Sequence, residues 1–562
     1  MVTWKSKKLG DLLILANGIC FLLLLNVLSK AWFFRVDMTQ ERRYSIQAPT
    51  RDVLGSLEDV VYVEVFLEGD LNPSLKRLRN AIEETLEVFD SYSSQGVQFR
   101  FTDPTTAQSA KAQNEFAQEL AAKGIQMLPV VETRDGERVE KVVFPGALIT
   151  YQGIETAVML FKHNQARNYQ EVVNQSIEGL EYEIASAIQR LGTGERKRIG
   201  FLGGHGELDE LQTASLRTAL IDRYDVIDMV LSSELSPLDC HVLIIAKPQT
   251  RFSEQEKYFL DQYILNGGRV IVGLDQMDAS MDSASREDYF ALPFETGLMD
   301  QMFRYGARVN LDLVQDRVSA RYPIVTGMVD NKPQMMQTEW PFFPLINQYG
   351  QHPTTRNLDA VMTRFISSID TVRADGIKKT PLMFTSPYAR KTTAPVKVSI
   401  NDLRRNIDPA SFAEGPIAVG YLLEGAFTSL YRNRFAPIGI DTAGYKSSGV
   451  PSKIIVIGDG DIFRNEINPR NRKPQQLGLD PFSGYIFANE DLLLNMVAYM
   501  ADENGLITTR NREIRLRPLN KEKVRTERAR WQMINLGAPV LFVIAFGFAR
   551  GYWRRRRYAQ FG

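Results

Sequence analysis

The sequence predicts an α/β protein of two successive sheet domains, with a membrane-crossing helix at each end. Three observations carry this reading. Apolar segments over residues 12–28 and 533–549 bracket a long stretch of soluble character. Between residues 60 and 144, strand-like and helix-like patterns follow in the order β-α-β-α-β-β. From residue 198 onward, short strands of buried composition alternate with helices, the pattern of a mainly parallel sheet covered on both faces.

Each apolar segment, about 17 residues long, makes roughly 26 Å of helix, close to the ~30 Å of a hydrocarbon core. Asn17 and Asn26 interrupt the first and Pro539 the second. Such groups are better tolerated where a neighbouring helix satisfies them, so the spans suggest a membrane partner. A cleaved signal peptide is the rival for the first, since Lys5, Lys7 and Lys8 precede it. Ser29-Lys30-Ala31-Trp32 lacks a small-x-small cleavage site, and the run is longer than a signal core. Arg550 and Arg554 to Arg557 assign the C-terminal tail to the cytoplasm. Two spans then place the N-terminus there too and the main body outside it. Lys521, Lys523, Arg525, Arg528 and Arg530 ahead of the second span, with Arg35, Arg42 and Arg43 after the first, dilute that asymmetry.

The expected divisions are 1–35 (cytoplasmic N-terminus and first span), 36–194 (first α/β domain with a hairpin extension) and 195–505 (second α/β domain with an insertion). A charged juxtamembrane segment, 506–531, the second span, 532–550, and a basic tail, 551–562, complete the chain. Sixty-seven basic and 67 acidic side chains cancel, so no global field favours nucleic acid. With two cysteines, Cys20 in a span and Cys240 before a strand, neither a structural disulfide nor a thiolate metal cluster is expected. No metal or cofactor is assigned.

In the first domain, residues 60–67 read as a strand. After Asn72-Pro73 comes a helix through Leu75, Leu78, Ile82, Leu86 and Phe89. Residues 97–101 form a strand, 107–123 a helix, and 126–133 with 137–144 a hairpin turning at Asp135-Gly136. A second hairpin, 147–151 and 155–161, turns at Gln152-Gly153, and a helix covers 176–191. This order is thioredoxin-like. Redox chemistry would need a lowered-pKa cysteine pair, and the segment has none, so the fold serves as a scaffold.

The second domain opens with a strand at 198–202 and a helix at 209–223. Strands at 225–231, 241–246 and 269–273, and a helix at 253–266, follow. The pattern is flavodoxin-like or glutamine-amidotransferase-like. Residues 275–288 read as a polar linker or mobile loop, and 442–452 as a Gly/Ser loop. Strands at 417–423 and 453–458 and a helix at 485–501 return to the same sheet, whereas 302–393 resists assignment. Residues 521–530 form a charged helix leading into the second span.

Ligands of open α/β sheets bind outside the carboxyl ends of the strands. Gly203, Gly204, His205 and Glu207 are placed there, with Asp275 after another strand and Asp459 and Asp461 after a third. These are the candidate ligand-binding residues. Each has a plainer reading: a glycine turn without the Lys-Ser/Thr of a phosphate loop, a hydrogen-bonded turn histidine, and Asx-turn or N-cap carboxylates. A hydrolase or amidotransferase would present a Cys or Ser on a strand-to-helix elbow. Residues 270–275 end in an acid instead, so no catalytic residue is assigned. The alternative, an envelope enzyme using His205, Glu207 and Asp459, requires these three to converge in one cleft. A purely structural tether is a third reading.

At 198–207 (Arg-Ile-Gly-Phe-Leu-Gly-Gly-His-Gly-Glu), 147–151 (Ala-Leu-Ile-Thr-Tyr) and 457–465 (Ile-Gly-Asp-Gly-Asp-Ile-Phe-Arg-Asn), the chain resembles the gliding-motility-associated ABC transporter auxiliary proteins of the GldG type. The resemblance extends over nearly the whole chain, both apolar ends included. It implies a non-catalytic subunit of a bacterial inner-membrane transporter, with its domains in the periplasm, beside a multi-span permease and a separate ATPase. On the leading reading, the α/β domains bind a small-molecule or envelope-protein ligand. A chain without a Walker lysine motif must draw its energy from such a partner.

Overall fold

Local sequence signals set the elements. In the computed structural model, residues 4–31, 45–106, 110–134, 137–161, 169–193, 196–233, 235–236, 238–286, 289–329, 332–404, 408–511 and 521–558 are described. Met1–Arg512 form one compact unit and Glu513–Gly562 a second.

The first unit opens with α1 (Trp4–Ala31), whose apolar stretch Leu15–Leu24 is shorter than the predicted span. Helix α2 (Ala48–Gly55) then leads to a four-stranded sheet of order β2-β1-β5-β6. β1 (Val61–Val65) crosses through α3 (Pro73–Tyr92) to β2 (Val97–Phe101), its parallel neighbour. Asn72 caps α3 by accepting from Leu75 N at 2.8 Å, and Pro73, which has no N–H to satisfy, fits its first turn. Leu75, Leu78, Ile82, Leu86 and Phe89 are buried, the stripe that the spacing predicts.

Helix α4 (Ala110–Ala122) precedes a separate hairpin of β3 (Leu128–Arg134) and β4 (Glu137–Val143), whose expected turn residues lie outside those described. β5 (Gly146–Tyr151) pairs antiparallel with both β1 and β6 (Ile154–Met159). Helix α5 (Tyr169–Thr193) runs further in both directions than expected, and Val173, Leu180, Ile184 and Ile188 join the core of this sheet.

The second sheet has eight strands. β7 (Arg198–Leu202), β8 (Asp225–Met229), β9 (Val242–Ala246), β10 (Arg269–Gly273) and the strand Ser448–Ile457 run parallel, in spatial order β8-β7-β9-β10-Ser448–Ile457. Strands Ala418–Thr428, Ile377–Phe384 and Gln348–Tyr349 extend it antiparallel. The run Val242–Ala246 is buried at every position, as expected of a strand covered on both faces.

Several expectations are corrected. Residues 275–288 are not a mobile linker where they are described. Gln276, Met277, Ala279, Ser283 and Ala284 are buried, and Ser280 and Ser283 cap the short helix Met281–Ala284 reciprocally, so their hydroxyls serve the backbone. The helix expected over 209–223 shrinks to α6 (Ala214–Ile221), because Asp209 and Gln212 bond each other's backbone N–H instead. That over 485–501 starts at Asn489, whose side-chain amide pairs with the backbone of Met362.

The unassigned stretch 302–393 is mostly antiparallel. Its long hairpin, Ser319–Val329 with Lys332–Ile346, packs Trp340 against Phe342, Phe343 and Phe365. In the second unit, the charged segment and apolar span are one helix, Lys521–Tyr558, with Pro539 inside it. Its stretch Glu522–Trp553 is long and apolar enough to cross a membrane.

Candidate functional site at the carboxyl edge of the large sheet

From β7 the chain steps through α6 to β8 at the sheet edge, then returns to β9 on the other side of β7. The switch point of the sheet therefore lies between β7 and β9, where ligands of such folds bind. Here the chain fills it with its own groups.

After β7 come Gly203 to Glu207. Gly204 and Gly206 take φ of 117° and 71°, and a side chain at Gly206 would press on Gln249. The His205 carbonyl accepts from Gln249 N at 2.7 Å and Thr250 N at 2.8 Å, tying the two turns together. Its ring stacks on Phe252, with centroids 3.7 Å apart. Nδ1 lies 3.3 Å from Glu207 Oε1 and Nε2 3.1 Å from Glu256 Oε1. Glu256 belongs to the capping box that Ser253 forms at the start of α7 (Glu254–Leu265). Burial alone would raise the Glu256 pKa, but hydrogen bonds from Ser253 and His205 hold it below the ordinary carboxylate value. Among the described contacts no hydroxyl or thiol meets His205.

Two strands further along, the predicted acids surround a lysine. Lys247, which follows β9 with φ of 55°, sends Nζ to Asp275 Oδ2 at 2.9 Å and to Asp461 Oδ2 at 2.5 Å. Asp275 Oδ1 accepts from Gly460 N at 2.7 Å, so the turn after Ser448–Ile457 is bonded to the end of β10. Asp459 makes an Asx turn, accepting from Asp461 N at 2.7 Å, and its other oxygen accepts from Arg364 N at 2.8 Å. Arg464 reaches Asp461 at 3.2 Å, and Arg364 reaches Glu466 at 2.6 Å.

Burial opposes charge throughout this cluster. It raises the Asp275 carboxyl, and it raises Asp459 well above the ordinary value, with Asp461 and Asp275 adding repulsion. Asp461 goes the other way, because Lys247 and Arg464 outweigh its burial. Lys247 is likewise raised by its two carboxylates against its own desolvation. It is a held cation, ill suited to act as a nucleophile.

The structure thus brings His205 and Glu207 together, and Asp275, Asp459 and Asp461 together. The two groups share none of the partners named above: His205 and Glu207 follow β7, whereas the three acids follow β10 and Ser448–Ile457, beyond β9. Gly203 and Gly204 line a cavity of about 460 Å³ on the β8 side, along with Glu207, Asp209, Arg217 and Asp228. Arg217 and Asp228 pair across it at 2.6 Å. Sequence reasoning missed Lys247, Arg364, Glu256 and Phe252. A lysine directly after an all-apolar strand was a readable signal for the first, whereas Arg364 fell in the unassigned stretch.

A mixed α/β body carried on a chain with a membrane-length apolar helix defines the class of protein. Residues 196–496, more than half of the chain, match the family described as ABC-type uncharacterized transport system. The chain belongs to that family and is an auxiliary component of an ABC-type transport system. Residues 40–150 match a domain of unknown function, DUF7088. An uncharacterized protein of Borreliella burgdorferi is 21% identical over 490 residues, covering 84% of this chain and 86% of its own. Among solved structures, the mmIFT52 N-terminal domain aligns over 57% of this chain and 100% of its own, at 15% identity and a TM-score of 0.32.

Proposed function

We propose that this chain is a non-catalytic subunit anchored at both ends in a bacterial inner membrane, with its α/β body in the periplasm. It works beside a multi-span permease and a separate ATPase. The observation that carries this reading is Lys247 between Asp275 and Asp461, with His205 stacked on Phe252 alongside. The acids that would serve chemistry at this sheet edge are spent on Lys247 and on backbone N–H groups, so that part of the edge acts as a rigid brace. The thioredoxin-like and amidotransferase-like arrangements are, on this reading, scaffolds without their chemistry.

The exposed leucines of α1 and the Arg550 to Arg557 cluster beside the apolar helix support the two spans and their orientation. Gliding motility as the process served rests on the sequence resemblance to the GldG type. To test the reading, the tagged chain is purified from its own membranes in mild detergent. A permease and an ATPase co-purify if the proposal holds, and their absence rejects it. Protease added to intact spheroplasts cuts the body, whereas a body cut only after lysis rejects the periplasmic placement. The enzyme reading wins instead if His205→Ala abolishes a turnover shown by the purified chain.

A further inference from the structure

Between Ser429 and Ser447 the chain leaves the large sheet in a loop whose base is held and whose apex is bare. Asp261, buried in α7, accepts from Ser429 Oγ at 2.7 Å and Leu430 N at 2.9 Å. Gln262 bonds both backbone groups of Lys446, and Tyr258 packs on Tyr431 and Tyr445. From this base, Phe435 and Ile438 stand out 99% and 95% exposed, although the Ile438 carbonyl is fixed by Gln255 Nε2 at 2.9 Å. Two apolar side chains held in water by an ordered loop are a standing cost that an occupant would relieve.

The surroundings carry a small excess of positive charge. A cavity of about 610 Å³ beside the loop is lined by Phe303, Arg304, Arg308, Arg373, Leu430 and Arg434 among others. Arg308, Arg373 and Arg434 pair with Asp370, Asp375 and Asp300. Arg304 and Arg432 are exposed and enter no ion pair among the described contacts.

We propose that the Phe435–Ile438 loop docks on an anionic lipid surface, inserting both side chains at the headgroup boundary while the neighbouring arginines meet lipid phosphates. Charge complementarity favours this occupant, since arginines beside a projecting apolar tip match an anionic interface. The chain also carries its own apolar helix of membrane length, so lipid is present at high effective concentration. A loop already pinned by Asp261 and Gln262 loses little freedom on docking.

The test uses the full chain in lipid nanodiscs, with Ile438→Cys carrying an environment-sensitive fluorophore on a Cys20→Ser background. Cys240 is buried and does not label. Emission shifts to the blue and is quenched by spin-labelled lipid in phosphatidylglycerol-rich discs, and much less in phosphatidylcholine discs. Replacing Arg304 and Arg432 by Gln lowers the inserted-to-free ratio roughly 25-fold, about five-fold per charge. A label at Phe435→Cys repeats the measurement from a second position, and the melting curve of each labelled chain reports its folding. Aqueous emission at both positions in both discs overturns the proposal. So does a blue shift that appears only when a permease is co-reconstituted, which would make the occupant a protein.

Discussion

Lys247 Nζ lies 2.5 Å from Asp461 Oδ2, joining turns that follow two strands with β10 between them. The pair spans 214 residues of sequence and, through Asp275 just after the strand between, braces three adjacent strand ends.

Removing only the cation leaves two buried carboxylates facing each other. Lys247→Met is expected to lower stability by about 3–5 kcal/mol, the range for breaking a buried ion pair from one side. Adding Asp275→Asn and Asp461→Asn should recover much of that loss. Thermal unfolding of the full chain in detergent measures both. A single variant that melts with the native chain would show that the charges are not interdependent.

His352 is buried, receives Thr354 N on Nδ1 at 3.3 Å and packs edge-on to Tyr499. Burial, chiefly, lowers its pKa from 6.5 to about 4. The unfolded chain therefore takes up this proton first as pH falls. The contribution of the neutral ring is complete above about pH 6.5 and is lost as pH falls towards 4. His352→Asn keeps an acceptor for Thr354 N and removes the titration. It should flatten the pH dependence of stability in that window by at most ~1.4 kcal/mol per pH unit. Denaturation at a series of pH values checks the slope.

Two glycines of the candidate edge should respond in opposite ways. A Cβ at Gly458 would lie 2.2 Å from the Ser367 carbonyl oxygen, backbone against backbone. Gly458→Ala should cost about 1–3 kcal/mol or more. At Gly203 nothing lies within 4 Å of the added atom, so Gly203→Ala should leave the melting temperature unchanged. A Gly203→Ala chain that folds normally yet loses transport-linked function would point to a ligand in the neighbouring cavity.

Glu183 on α5 joins the two cores, meeting Arg510 at 2.9 Å and Arg223 at 3.3 Å. Arg510 is the more enclosed partner and lies over the Tyr182 ring. Glu183→Ala should destabilise by about 3 kcal/mol, because it takes the carboxylate from both Arg510 and Arg223 at once. Limited proteolysis should then release the first sheet region before the second, and simultaneous release would refute the coupling.

Much of the fold was legible from residue patterns. The runs at 198–202 and 269–273 and the stripe from Leu75 to Phe89 came out as read, because burial on both faces of a strand, or on one face of a helix, leaves a periodic trace. Residues 275–288 misled because Ser and Asp look alike whether they meet water or cap a backbone. The stretch 302–393 stayed unread because antiparallel strands with bulges, such as those in the Ser319–Ile346 hairpin, break strict alternation.

By itself the sequence determined the α/β succession, the apolar helix near the end of the chain and the placing of three acids and a glycine-rich turn at strand ends, since these depend on local order. Only the tertiary structure decided that Lys247 would sit among those acids and that His205 would lie on Phe252. Both contacts close between segments brought together by strand order, and no local pattern encodes which turn faces which.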